Sequence, residues 1–217
     1  MELKHKKILF LGDSITEGIG VSDPKNIYWK RLEQDGCEVY SYGVSGTRIA
    51  PQATLRVDPR IDDDYFATRI PNMKPDADVI VIFGGTNDCG HGDAALGSMD
   101  DRTVDTFYGA YHDLCIKLRE KYPNAAIVVM TPLHRDNEHM VYNGFHVRTA
   151  ACLETYVDII KEVAEYHKLS VLDSYRNCNI NPNLQSHKET YVPDGLHPND
   201  AGHEIIYNTL KNFLKNL

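Results

Sequence analysis

Four short apolar runs punctuate the chain: Ile8–Leu11, Val79–Phe83, Ala125–Met130 and Ser170–Leu172. Most are rich in valine or isoleucine, and they close at a glycine, a Thr-Pro pair or an aspartate. Continuous apolar runs of this length, ended by turn formers, predict strands buried on both faces. A weaker fifth run, Cys37–Tyr42, alternates apolar and polar positions and ends at Gly43. Between the runs the spacing changes to that of helices. Phe107, Tyr111, Leu114 and Leu118 recur at steps of three and four, as do Leu153, Val157, Ile160 and Ala164. A last stripe joins Ile206, Leu210, Phe213, Leu214 and Leu217. Each stripe predicts a helix with one buried face, and core packing explains all three.

Strands that alternate with helices predict a parallel sheet covered on both sides. The expected fold class is α/β: a three-layer α/β/α sandwich around a flavodoxin-like sheet of about five parallel strands, in one domain over residues 1–217. Right-handed crossovers bring every strand's C-terminal end to one edge, where ligands bind in such sheets. Residues just after strands therefore carry the functional weight. Two long irregular segments, 50–75 and 132–149, are candidates to wall the site.

Charge and cysteine content narrow the class. Twenty-three basic against 31 acidic residues give a formal charge of −8. That disfavours nucleic acid and anionic membrane surfaces as partners. Cys37, Cys89, Cys115, Cys152 and Cys178 are odd in number and form no C-x-x-C pair, so free thiols in a reducing compartment are expected. The basic N-terminus leads into only four apolar residues, too few for a signal peptide, and no run approaches a membrane span. A cytoplasmic location is the expectation. His91, His134, His139, His146 and His203 show no metal-ligand spacing. No phosphate-binding glycine loop or dinucleotide fingerprint occurs either. No metal and no cofactor is expected, and assembly into a homo-oligomer is left open.

Four motifs follow strands or precede the last helix. Gly12-Asp13-Ser14 ends the first strand, and Tyr42-Gly43-Val44-Ser45-Gly46-Thr47 ends the second. Gly84-Gly85-Thr86-Asn87-Asp88 ends the third, and Asp194-Gly195-Leu196-His197-Pro198-Asn199 precedes the C-terminal stripe. Singly, each has an ordinary reading as a helix cap or a turn. Together they fall where a doubly wound fold gathers its chain segments.

The same four blocks, in the same order, make the chain resemble the SGNH (GDSL-like) hydrolases from residue 8 to about 210. The resemblance implies a serine esterase acting on a small-molecule ester through an acyl-enzyme. Ser14 would be the nucleophile, His197 its base and Asp194 the carboxylate that orients the base. The N–H groups of Ser14 and Gly46 and the amide of Asn87 would form the oxyanion hole. Asp13 and Arg48 are candidate substrate contacts, although Arg48 fits an exposed ion pair equally well. Trp29 reads as core. The G-x-S-x-G elbow of α/β-hydrolases is missed by one position at Gly43-Val44-Ser45-Gly46-Thr47, which leaves Ser45 as a rival nucleophile.

The substrate expectation is a short acyl chain, such as acetyl, on a polar alcohol such as a carbohydrate. It rests on the charged stretches Arg56–Asp64 and His134–His139 beside the site, weighed against the apolar group Met140, Val141, Tyr142 and Phe145. The family also holds lysophospholipases and thioesterases. Acyl transfer to another acceptor and a non-catalytic binding module on the same fold stay open.

Overall fold

The computed structural model describes residues 1–52, 64–140 and 151–217. Five parallel strands form the sheet: β1 (Lys7–Gly12), β2 (Glu38–Gly43), β3 (Val79–Phe83), β4 (Ala126–Met130) and β5 (Ser170–Leu172). Their order is β2-β1-β3-β4-β5, the flavodoxin-like order in which the chain reverses direction across β1 and β3. All four neighbouring pairs are parallel, and Gly12 lies level with Gly43 on one side and Phe83 on the other.

Alternation within the strands sends side chains to two separate cores. Leu9, Leu11, Ile80, Ile82, Ile127 and Val129 face one side, against α4 (Phe107–Lys121) and α5 (Leu153–Tyr166). Ile8, Phe10, Val79, Val81, Val128 and Met130 face the other. There they meet Tyr28 and Leu32 from a stretch of 3-10 turns, and Ile206, Leu210 and Leu214 of α8 (Asp200–Lys215). Burial on both faces is why β1, β3 and β4 read as continuous apolar runs. β2 is an edge strand with only Val39 fully buried, hence its weaker alternating pattern.

Two of the three long helices, α4 and α8, are capped by side chains. Thr106 accepts from Gly109 N at the start of α4, and Asn199 accepts from Ala201 N and Gly202 N at the start of α8. The predicted C-terminal stripe holds with one correction. Leu217 lies beyond the helix and is exposed, because α8 ends at Lys215. Five shorter helices carry no apolar period: α1 (Ser14–Glu17), α2 (Phe66–Arg69), α3 (Thr86–His91), α6 (Ser174–Asn177) and α7 (Gln185–Tyr191). Among the described residues no helix is long and apolar enough to cross a membrane, and all five cysteines are free thiols.

Candidate active site

Ser14 opens α1 directly after β1, at the C-terminal edge of the sheet. The turn beneath it is tight. A Cβ on Gly12 would lie 1.9 Å from Thr16 Oγ1, so only glycine lets the strand pass under the short helix. Asp13 caps α1 by accepting from Ile15 N at 3.0 Å.

The partners of Ser14 arrive 183 residues later, on the turn before α8. Ser14 Oγ–H donates to His197 Nε2 at 3.0 Å, and His197 Nδ1–H donates to Asp194 Oδ2 at 2.7 Å. Asp194 Oδ1 accepts from the backbone N–H groups of Leu196 and His197 at 2.8 and 2.7 Å. Partial burial works to raise the Asp194 pKa, but the His197 and Leu196 N–H bonds and the imidazole outweigh it and hold the carboxylate below its usual range. The fixed carboxylate orients the ring, and the ring's far nitrogen receives the hydroxyl proton. This arrangement is competent to activate a serine.

The other two strand ends supply donors. Gly46, after β2, has φ 77°, in the left-handed region that favours glycine. The side-chain amide of Asn87, on the first turn of α3, donates one proton to Thr47 O at 2.9 Å. Its second amide proton is available to the pocket it lines. Ser14, Gly46, Asn87 and His197 line one cavity of about 390 Å³, together with Ile19, Ser45, Gly90, His91, Arg135 and Leu196.

Two predicted substrate contacts lie elsewhere. Asp13 is buried behind Ser14 and occupied by its capping bond, and burial raises its pKa to about 7 against the Ile15 N–H. Arg48 is buried too, with Nη1 donating to Gly46 O at 3.3 Å and to His91 Nδ1 at 3.1 Å. Neither lines the cavity; Arg48 is buried rather than exposed and braces the Gly46 turn from behind. Ser45 lines the cavity but gives both its N–H and its hydroxyl to Glu17 Oε2 rather than to a histidine. His203 is fully buried, stacked on Tyr28, with its pKa lowered to about 4 by burial, and stands outside the cavity. Trp29 packs partly buried against the second core and donates from Nε1 to Thr16 O at 2.7 Å.

Of the stretch His134–His139, Arg135 alone lines the cavity. His134 pairs with Glu138, and Asp136 pairs with Lys188. Residues 56–63 of the other charged stretch, and Val141, Tyr142, Phe145, His146 and Arg148, lie outside the described residues. Among the described residues no group of three or more His, Cys, Asp or Glu side chains is placed to hold a metal ion.

Two positioning residues escape sequence reasoning. Asp88 accepts from Ile49 N and Ala50 N, both at 3.0 Å, and so clamps the turn that carries Gly46. Burial raises its pKa to about 6 against those two bonds and the nearby Arg48. Arg69 of α2 donates from Nη1 to Gly12 O at 2.8 Å and Tyr42 O at 2.5 Å, and from Nη2 to Thr47 Oγ1 at 3.0 Å. It ties the ends of β1 and β2 together. The aspartate had a readable signal, a fourth polar residue in the Gly-Thr-Asn-Asp turn. Arg69 had none, since it comes from the irregular segment 50–75.

Comparison with known proteins agrees with this geometry. No curated protein sequence matches the chain significantly. Solved structures do. A protein from Lactobacillus plantarum is 30% identical over 98% of each chain, with a TM-score of 0.79. A member of the lipolytic protein G-D-S-L family from Veillonella parvula is 15% identical over 97% of this chain and 99% of its own, at 0.66. The salicylyl-acyltransferase SsfX3 from a tetracycline biosynthetic pathway is 21% identical over 98% of this chain and 55% of its own, at 0.66. The two more distant structures share the fold. The family match runs over residues 10–205, from the first strand through the turn that holds Asp194 and His197 into α8. The chain belongs to the GDSL-like lipase/acylhydrolase family.

Proposed function

We propose that the protein is a serine esterase that hydrolyses short-chain esters of a polar alcohol through an acyl-enzyme on Ser14. The observation that carries this reading is the unbroken chain from Asp194 through His197 to the Ser14 hydroxyl, at 2.7 and 3.0 Å. His197 takes the hydroxyl proton as Oγ bonds to the ester carbonyl carbon. The carbonyl oxygen becomes an oxyanion facing the N–H groups of Ser14 and Gly46 and the second amide proton of Asn87. The imidazolium then gives its proton to the alcohol oxygen as the C–O bond breaks. Water repeats the sequence on the acyl-serine and regenerates the hydroxyl. His197 and Asp194 are thus assigned as base and orienter.

The short-chain preference draws support from the cavity. Among the described residues the apolar side chains that line it are Ile19 and Leu196, beside His91, Arg135 and Asn87. A long acyl chain needs a continuous apolar trough, in which each buried methylene adds about 0.8 kcal/mol. A cavity of about 390 Å³ lies toward the small end for ligand sites.

Labelling, kinetics and product analysis test the reading. Wild type reacts with a fluorophosphonate and Ser14→Ala does not, with kcat on aryl acetate falling by about 10⁶. Labelling that survives in Ser14→Ala and vanishes in Ser45→Ala moves the nucleophile to the second turn, and a wild type that never labels is a binding module. Along a series of aryl esters, kcat/KM falls from acetyl to octanoyl. A steady rise shows an acyl channel and replaces the polar-alcohol reading with a lipid one. Product analysis with added alcohols separates hydrolysis from acyl transfer.

A further inference from the structure

One charge in the cavity has no part in the acyl chemistry. Arg135, on the segment after β4, is half-buried and shares the cavity with Ser14 and Asn87. Its Nη1 donates to Thr86 O at 3.0 Å and Thr86 Oγ1 at 3.2 Å, which fixes the guanidinium against the first turn of α3. The acids around it are engaged by other groups. Glu138 accepts from His134 Nδ1 at 2.9 Å and Asn183 Nδ2 at 3.0 Å. Asp136 pairs with Lys188, and Asp13 caps Ile15. Among the described residues no carboxylate lies within ion-pair distance of the Arg135 guanidinium; Glu138 accepts the Arg135 backbone N–H at 3.3 Å, and Asp13, Asp136 and Glu138 act on the charge only from farther away.

A partly buried guanidinium without a directly paired carboxylate is costly to keep, and its two-pronged edge matches a planar carboxylate. The net charge of −8 repels an anion at long range, so recognition of one must come from a local cation of this kind. Building on the serine-esterase reading, we infer that Arg135 is a specificity-determining residue that holds a carboxylate of the substrate. The substrate class is then an ester that also bears a carboxylate, on its acyl or its alcohol part. A short-chain ester of a hydroxy acid satisfies both this assignment and the polar-alcohol reading.

The test uses two matched ester pairs. 4-Acetoxybenzoate against 4-acetoxybenzamide places the charge on the alcohol part. The 4-nitrophenyl monoester of succinate against that of succinamate places it on the acyl part. Each kcat/KM is divided by the ester's own hydroxide-catalysed rate, and the readout is the charged-to-neutral ratio, in which any common effect on folding or chemistry cancels. Wild type favours the charged member of one pair by about tenfold or more, the range of a charge-assisted hydrogen bond. The ratio collapses towards unity in Arg135→Gln and partly returns in Arg135→Lys. As a check that needs no variant, the free hydroxy acid inhibits wild type and its amide does so far less. Ratios near unity in both pairs for wild type, or a preference that persists in Arg135→Gln, overturn the assignment. Ser14→Ala on the neutral esters reports separately: residual hydrolysis there sinks the nucleophile while leaving the Arg135 ratio readable.

Discussion

Asp88→Asn should gain stability relative to wild type as pH rises from 4 to 7.5, and should be a poorer catalyst. Asp88 is buried, and its folded pKa stands at about 6 against an ordinary 3.8. A carboxyl raised in this way favours the folded state fully only while protonated. The contribution is intact below pH 3.8, declines as pH rises and is gone above about 6. Two units correspond to roughly 3 kcal/mol that the charged form costs at neutral pH. Asparagine imitates the protonated acid and carries no such cost. It also eases ionisation of Asp13, whose pKa the Asp88 charge helps to raise, so the neighbour acts in the same direction. Urea unfolding at pH 4 and pH 7.5 measures the effect. Relative to wild type, the variant should gain up to about 3 kcal/mol between the two pH values. Catalysis should move the opposite way. Ile49 N and Ala50 N donate to different oxygens of Asp88, and asparagine puts an NH2 donor in place of one of them, so the turn carrying Gly46 loses an anchor and kcat falls. A stability difference that is flat with pH refutes the buried-charge argument, and an unchanged kcat refutes the clamp.

Three further outcomes follow from the geometry. His197→Ala should match the loss of Ser14→Ala, whereas Asp194→Ala should cost about 10⁴ in kcat, because the carboxylate only orients the ring; equal, slight losses from both would name a different base. Asn87→Ala should lower kcat by roughly 10² to 10³ with KM little changed, measured on aryl acetate, and a normal kcat would leave Asn87 a turn residue tied to Thr47. Gly12→Ala should destabilise by about 1–3 kcal/mol in thermal or urea unfolding, since the new methyl meets Thr16; unaltered stability would mean that the turn under Ser14 is looser than its 1.9 Å contact implies.

How much of this was legible depended on what each residue has to do. β1, β3 and β4 bury both faces, so their sequences had to be continuously apolar and could be read. α4, α5 and α8 bury one face each, and their stripes showed. The helices that carry or brace the site are four to seven residues long and have no stripe to show. α3 begins at Thr86 with polar residues that all point to local tasks, and only the block of motifs betrayed it. Ser14, Gly46, Asn87, Asp194 and His197 stand in motifs at strand ends and before the last helix, and the structure brings them together around one cavity; their roles belong to the proposal. Asp13 and Arg48 were misjudged as substrate contacts because sequence distance from the nucleophile does not report burial. Ile19 and Leu196, which line the cavity, looked like any other apolar residue. At Gly46 the structure adds a backbone reason for glycine in its left-handed φ.

The separation of 183 residues between Ser14 and His197 has a consequence for how activity is acquired. During synthesis the nucleophile and the Gly46 and Asn87 donors emerge early, on the first three strands, while the base waits on the turn before α8. That turn is held in place only when α8 docks through Ile206, Leu210 and Leu214 on the second core. A nascent or truncated chain that stops short of Asp194 would carry the Ser14 hydroxyl without the imidazole that the proposed mechanism uses as its base. Under the proposed mechanism ester turnover waits on the closing of the last layer, and its appearance during refolding would be a clock for that event.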